Sequence, residues 1–361
     1  MRAHLVVGRM RVAFVSMETT HYRDTEGARR FERVARDLAA RGHEVTVFCT
    51  QFWEGTDERV ERDGVTYRGV TISPALTAFA VRLPALLAMF DPDVVHARPE
   101  PPVGVLAASL GGTLARVPLV VEWFGDETVD DSRFADRAAT LPDMVDVPSE
   151  MVRTRVRERG ATAETTQVVP ESIDMATVRE TDPAEEIDVV YAHPLDGSAN
   201  LESFLLGLAE LRDREWSAVI VGDGPEREGY ERQVRDLRID DRVEFVGACD
   251  RAERVAYYRG AHAFVQTAYR EYFATELLWA LACGCVGIVE YQAESSAHEL
   301  IEEEERSFRA TDPEQIADAI VDAGEFDRLT VDENYAEFDH DAVLERYLGT
   351  YRDLQAEYGL L

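Results

Sequence analysis

Along almost the whole chain, short apolar runs alternate with segments whose apolar positions recur every three or four residues. Runs at 12–16, 45–49, 94–97, 119–122 and 144–147 are dominated by apolar residues, which predicts short strands buried on both faces. Residues 27–41 place Phe31, Val34, Ala35 and Leu38 at helical spacing, with Gly42 where a helix C-terminus favours a left-handed residue. A strand at 168–170 closes this first series. After the polar, proline-bearing stretch 180–186, a second series predicts strands at 187–192, 218–222, 243–246, 263–266 and 286–290. Its helices fall at 201–212, 225–237, 251–259, 274–282 and 313–323. Such alternation predicts an α/β protein of two Rossmann-like, doubly wound parallel-sheet domains, facing across a cleft. The expected bounds are 1–172 and 173–340. A last amphipathic helix, 341–355 within the segment 341–361, comes too late for the second sheet and is expected to return to the first domain.

The longest apolar run, 74–90, contains Arg82, Pro74 and Pro84 and is short for a membrane span. It reads either as a helix packed on the first sheet or as one facing an acceptor or lipid. Residues 1–9 lack the long apolar core and cleavage site of a signal peptide. Met10 opens directly onto a strand, so it is the expected start, with 1–9 a loose arm or a start-site artefact.

Composition narrows the function. The chain has 361 residues, 70 Asp and Glu against 38 basic residues, and a formal charge of −32. Nucleic acid is held by clustered cations, so a nucleic-acid partner is excluded, and the overall charge opposes electrostatic docking on anionic lipid. There is no Lys, so every basic residue is Arg. A lysine-free acidic chain fits a salt-crowded, haloarchaeal-type cytoplasm, where screening relieves self-repulsion; an acidic mesophilic protein of biased composition is the alternative. Cys49, Cys249, Cys283 and Cys285 show neither zinc spacing nor a disulfide framework, and read as small buried thiols in a reducing compartment.

Three stretches of the second half fall where doubly wound domains bind ligands, beyond the carboxyl ends of strands. In VGDGPERE (221–228), Gly222 and Gly224 allow a tight turn and read first as structural. In YREYFATELLWALACG (269–284), the amides of Ala274 and Thr275 open a helix, where an anion such as a diphosphate is their natural partner. Glu271, just before, accepts hydrogen bonds from sugar hydroxyls or is a solvated loop charge. The third stretch, 290–300, leads from a buried strand towards Glu299.

Together these pieces resemble the retaining glycosyltransferases of family 4, which have the GT-B fold. The resemblance rests on the order of RGHEVTVF (41–48), DPDVVHA (91–97), VPLVVE (117–122), VVPESID (168–174), IVGDGPERE (220–228), DRVEFVG (241–247) and REYFATELLWALACG (270–284), with EFDHDAVLERYLGTY (337–351) as the returning helix. It implies transfer of a sugar, with retention and with no metal or cofactor, from a nucleotide-diphosphate sugar to a glycan or lipid-linked acceptor, in the cytoplasm or peripherally at the inner face of a membrane. By the resemblance Glu271 is catalytic and orients the donor sugar, while Ala274 and Thr275 hold phosphate through the backbone.

The functional signatures depart from the family. The Glu-x7-Glu motif begins at Glu271 but ends at Trp279, which accepts no hydroxyl bonds and stacks instead. Glu276, one turn earlier, is the substitute for the ribose contact. His193 and Ser198 fall where the family carries its diphosphate-neutralising Arg and Lys. The first-domain histidine falls at Phe124, and the paired glycines fall near Thr25 and Glu26, one position before Gly27. Glu294 replaces a phosphate-binding glycine stretch. Each missing charge-assisted bond forfeits about 1.5–3 kcal/mol, so losing two costs roughly a hundredfold in affinity. Arg98, with Arg23 and Arg270, is the expected compensation, or Arg98 simply pairs with Glu100. His96 also lies where the family has a histidine, as a substrate contact or as a packed strand-end residue. A catalytically degenerate binding or scaffold protein in glycan assembly is the alternative function, and another GT-B activity such as epimerisation of a sugar nucleotide a third.

Overall fold

The computed structural model describes residues 8–128 and 132–360. Most of the expected arm at 1–9 lies outside these residues. The chain forms two compact units, residues 1–170 with 344–361, and residues 171–343.

The first unit is built from β1 (Arg11–Val15), α1 (Glu26–Ala40), β2 (Glu44–Thr50), β3 (Arg59–Arg62), β4 (Val65–Thr71), α2 (Leu76–Phe90), β5 (Val94–Ala97), α3 (Pro102–Ala115), β6 (Leu119–Glu122), α4 (Arg133–Thr140), β7 (Met144–Val147), α5 (Glu150–Glu158) and β8 (Thr166–Val168). The strands make one sheet in the order β3-β4-β2-β1-β5-β6-β7-β8, parallel except for the hairpin β3–β4. The strands β5 and β6 are buried throughout, as short apolar runs sandwiched between helices must be. The β3–β4 hairpin was not expected. It turns at Asp63-Gly64, both at positive φ (52° and 75°), the turn chemistry that suits a tight hairpin. The strand expected at 168–170 runs instead over Thr166–Val168.

The second unit contains α6 (Met175–Glu180), β9 (Ile187–Ala192), α7 (Leu201–Glu210), β10 (Ala218–Val221), α8 (Arg227–Leu237), β11 (Val243–Gly247), α9 (Arg251–Gly260), β12 (Ala261–Gln266), β13 (Arg270–Glu271), α10 (Thr275–Ala282), β14 (Val286–Glu290), β15 (Glu294–Ser295), β16 (Ser307–Ala310) and α11 (Pro313–Ala323). Its main sheet is parallel, in the order β11-β10-β9-β12-β14-β16, and β13 pairs with β15 in a separate two-stranded ribbon. The order therefore reverses between β9 and β12. The last helix, α12 (His340–Glu357), starts in the second unit and from Leu344 onward belongs to the first.

Within the first unit, α12 closes over a buried polar cluster. Arg30 of α1 is paired with Glu122 at the end of β6 and donates to the Val169 carbonyl and the Tyr347 hydroxyl, both at 2.6 Å. His96 Nε2 lies 3.3 Å from Glu122 Oε2, and its Nδ1 is hydrogen-bonded to the Tyr351 hydroxyl. His96 is fully buried and stacks on Phe14, with ring centroids 5.0 Å apart. This corrects its assignment as a substrate contact. This strand-end imidazole lies in the layer between sheet and helices, bonded through Nδ1 to Tyr351 and facing Glu122 with Nε2, so no ring atom is left exposed to a substrate. Burial would push Glu122 up, but Arg30, followed by His96, outweighs it and holds the carboxyl down at about 2.

Asp146 on β7 borders the same cluster. Gln167 Nε2 donates to its Oδ1 at 2.7 Å, while Oδ2 is buried without a hydrogen-bond partner among the described residues. Burial, partly opposed by His96 and Gln167, raises this carboxyl from 3.8 to about 6. Across that window the folded protein keeps a proton that the unfolded chain has lost, so the group lowers stability as pH rises through it. Asp146→Asn is therefore expected to stabilise the protein above about pH 6 by about 1–2 kcal/mol, with the gain vanishing below about pH 4. Urea titrations at the two pH values check this, and a gain that persists at low pH would contradict it.

Cys49, Cys283 and Cys285 are buried free thiols as expected, whereas Cys249 is only partly buried. No described helix is long and apolar enough to cross a membrane.

Candidate functional site

The second unit gathers its chemistry beyond β9 and β12, the two strands at which the sheet order reverses. His193 follows β9, and Glu271 lies on β13 just after β12. His193 Nε2 is 3.3 Å from Glu271 Oε1, and its Nδ1 is 2.7 Å from the Pro194 carbonyl oxygen. Both ring nitrogens thus face acceptors, and only the doubly protonated imidazolium donates to both. Burial works against that charge. The hydrogen bond and the charge of Glu271 outweigh it, with help from the Pro194 carbonyl and Asp196, and the His193 pKa is raised.

Three features hold this pair in place. Gln266, the last residue of β12, donates from Nε2 to Glu271 Oε1 at 3.0 Å. The β13–β15 ribbon pairs Glu271 with Ser295, and the Ser296 amide donates to the Glu271 carbonyl at 2.8 Å. On the His193 side, a Cβ on Gly222 would lie 2.0 Å from the His193 carbonyl oxygen, and one on Gly224 2.3 Å from that of Leu195. These glycines let the turn after β10 press against the 193–195 segment and hold it by backbone bonds, His193 N to Val221 O at 3.1 Å and Leu195 N to Asp223 O at 3.0 Å. Gly222 also has φ +144°, which only glycine adopts without strain. Sequence reasoning missed Gln266; the signal was a lone amide ending the otherwise apolar run AHAFVQ.

The remaining sequence candidates divide. Ser198 uses its hydroxyl and amide on Asp196 Oδ1, at 2.6 and 2.8 Å. At the start of α10, the Thr275 amide donates to the Phe273 carbonyl at 2.9 Å, which corrects the expectation that it is unpaired. Among the described residues the amides of Ala274, Glu276 and Leu277 have no protein acceptor. Glu276 does not stand in for a ribose ligand. Arg251 and Arg254 bind it at 2.9 and 2.6 Å, and the Tyr258 hydroxyl donates to it. Burial opposes its ionisation, yet the two guanidiniums hold its pKa below the ordinary value. Trp279 is buried, with the Arg251 guanidinium 4.7 Å from its ring centroid, so it serves α9–α10 packing rather than presenting a stacking face. Glu294 is exposed and paired with Arg270 at 2.9 Å, which ties that arginine to the ribbon.

In the first unit, Arg98 follows β5 and is buried. Its Nη2 is 3.9 Å from Asp126 Oδ1, while Glu100 is taken by Arg23 at 2.6 Å, so the Arg98–Glu100 pair does not form. Asp126 Oδ2 accepts from the Gly27 amide at 2.8 Å, and a Cβ on Gly27 would lie 2.8 Å from the Phe124 Cβ. The first turn of α1 is thus occupied by the chain's own carboxylate.

The paired parallel sheets define the GT-B fold. Residues 25–171 match the model of the glycosyl transferase 4-like domain, and residues 177–328 match that of glycosyl transferases group 1. Both halves of the chain thus belong to glycosyltransferase domain families. The fold is similar to that of a glycosyltransferase from Rickettsia africae ESF-5, at 13% identity over 96% of this chain and 99% of that one, with a TM-score of 0.76. Anabaena HepE, solved in complex with UDP, has 18% identity over 96% and 100% of the two chains and a TM-score of 0.75. The sucrose-phosphate synthase of Thermosynechococcus elongatus has 19% identity over 97% and 100%, with a TM-score of 0.71. No significant match is found among curated proteins.

Proposed function

We propose that the protein transfers a sugar, with retention of configuration, from a nucleotide-diphosphate sugar to a glycan or lipid-linked acceptor. The observation that carries this reading is the Glu271–His193 pair, set at the strand-order reversal of the second unit, where doubly wound sheets bind ligands. In this reading Glu271 accepts hydrogen bonds from the donor sugar's hydroxyls and is the catalytic residue. The imidazolium of His193 supplies the positive charge that a diphosphate needs, and the free amides of Ala274 and Glu276 add donors at the start of α10. Ser198, through its remaining lone pairs, and Arg98 stay as substrate-binding candidates. The glycosyltransferase domain matches and the UDP complex of Anabaena HepE support a nucleotide-sugar donor. The lysine-free acidic composition supports work in a concentrated-salt cytoplasm, and the lipid-linked acceptor of this reading would place that work at or near the inner face of a membrane.

A thermal-shift screen in concentrated KCl against UDP, GDP, ADP and dTDP sugars tests the reading. One nucleotide class is expected to raise the melting temperature in a concentration-dependent way, since a ligand bound only to the folded state stabilises it by mass action. If no nucleotide sugar stabilises the protein while deletion of its gene still changes cellular glycans, the alternative holds. That alternative is a non-catalytic scaffold, favoured by the diversion of Glu276 and Trp279 into packing against α9.

A further inference from the structure

The outer side of the α2–α3 pair departs from the rest of the surface. The chain carries 70 acidic residues, yet α2 (LTAFAVRLPALLAMF) and α3 (PVGVLAASLGGTLA) hold none. Other surface helices do carry acids, as with Glu228, Glu231 and Asp236 on α8. The inner side of α2 is ordinary core, with Phe79, Leu83 and Leu87 fully buried. The two helices meet closely, since a Cβ on Gly111 of α3 would lie 2.6 Å from Leu87 Cδ1. Outward, α2 exposes Val81 (74%) and Met89 (76%), and α3 exposes Leu110 (54%) and Leu114 (59%). Arg82 and Arg116 on the same pair have no carboxylate partner among the described residues; Arg82 reaches only the Val70 carbonyl at 3.3 Å. Acidic side chains are thus absent from the two helices themselves; among the described residues Arg82 is their one internal charge, and their C-caps are Asp91 for α2 and Arg116 for α3.

We propose that this face docks the protein on an anionic lipid bilayer, α2 lying flat with Val81, Met89, Leu110 and Leu114 in the interface and Arg82 and Arg116 at headgroup phosphates. A bilayer is the occupant because apolar side chains flanked by unpaired guanidiniums match an apolar layer under an anionic surface. Acidic side chains on other surface helices, such as α8, keep those sides hydrated, so the acid-free α2–α3 face is the one that loses least by leaving water. At 15 residues, α2 is too short to span a bilayer. The proposal sharpens the membrane element of the functional reading but does not depend on sugar transfer.

The test is co-sedimentation of the full chain with phosphatidylglycerol or phosphatidylcholine vesicles, in KCl that keeps it folded. Wild type is expected to partition at least tenfold more strongly onto phosphatidylglycerol vesicles. The triple variant Val81→Asp, Met89→Asp, Leu114→Asp is expected to lose that binding at least tenfold with its melting temperature and nucleotide-sugar binding unchanged, because all three side chains are exposed. Arg82→Glu with Arg116→Glu is expected to abolish the preference for the anionic lipid. The proposal is overturned if wild type ignores phosphatidylglycerol vesicles, or if the triple variant binds as wild type does. It is equally overturned if wild type is dimeric in solution and the triple variant monomeric, since the face would then join two copies of the chain. Donor binding that fails while vesicle binding persists would sink the transferase reading and leave this one standing.

Discussion

Glu122→Ala is expected to cost about 3–5 kcal/mol of folding stability, the penalty for leaving a buried charge without its partner. Arg30 would keep its guanidinium in a site where it is 1% exposed, beside the Tyr347 phenol and the Val169 carbonyl but without its carboxylate. His96 would lose the carboxylate 3.3 Å away. Replacing Arg30 by Met and Glu122 by Leu together is expected to cost far less than either change alone, because no charge is then left bare. The pH dependence has a definite sign. The Glu122 pKa is held at about 2 against an ordinary 4.5, so the stability from pairing is complete above 4.5 and is lost as pH falls towards 2. Urea midpoints of wild type and Glu122→Ala should therefore converge in acid. A loss smaller than about 1 kcal/mol at neutral pH would place the pair among those that contribute little.

The largest expected effect on activity is that of Glu271→Gln. The substitution keeps the side chain's size and its place beside Gln266, but removes the negative charge that favours the protonated form of His193. Two functions fail together. On the proposed reading the donor sugar loses a carboxylate acceptor, and the charged form of the imidazole beside the diphosphate is no longer favoured. A drop in kcat of about a hundredfold or more is expected, the size of effect that follows when a reacting group is no longer aligned. In wild type, donor binding should be strongest while His193 is charged and should weaken as pH rises through its raised pKa. His193→Arg, with a permanent cation, should flatten that profile. Isothermal titration with the donor found by the screen checks both. Full turnover in Glu271→Gln would remove this carboxylate from the chemistry.

Much of the fold is legible in the chain because parallel strands are buried on both faces. Runs such as VVHA and LVVE therefore announce themselves by hydrophobicity alone. The β3–β4 hairpin escaped because its outer strand, RVER, is mostly exposed and carries no apolar run; the Asp63-Gly64 pair was its only strong mark. Pairing across long sequence separations escaped for a different reason. Nothing near Glu276 shows that Arg251 and Arg254, 25 and 22 positions earlier, will claim it. Likewise His96 looks like a site residue until Tyr351, 255 positions later, is seen to close on it. The segment 74–90 was read as either core or acceptor- or lipid-facing; α2 buries Phe79, Leu83 and Leu87 on one side and exposes Val81 and Met89 on the other. Side-chain chemistry names the groups that could act, but contacts between distant segments decide which are free to do so.

The return of α12 has a consequence for synthesis. The first unit needs Tyr347 and Tyr351 to complete the shell around Arg30, Glu122 and His96. As the nascent chain leaves the ribosome, its amino-terminal half emerges first yet lacks these phenols until the final stretch is translated. The half made earliest is therefore completed last, and a polypeptide ending before residue 340 would leave Arg30, Glu122 and His96 without two of the side chains that enclose them.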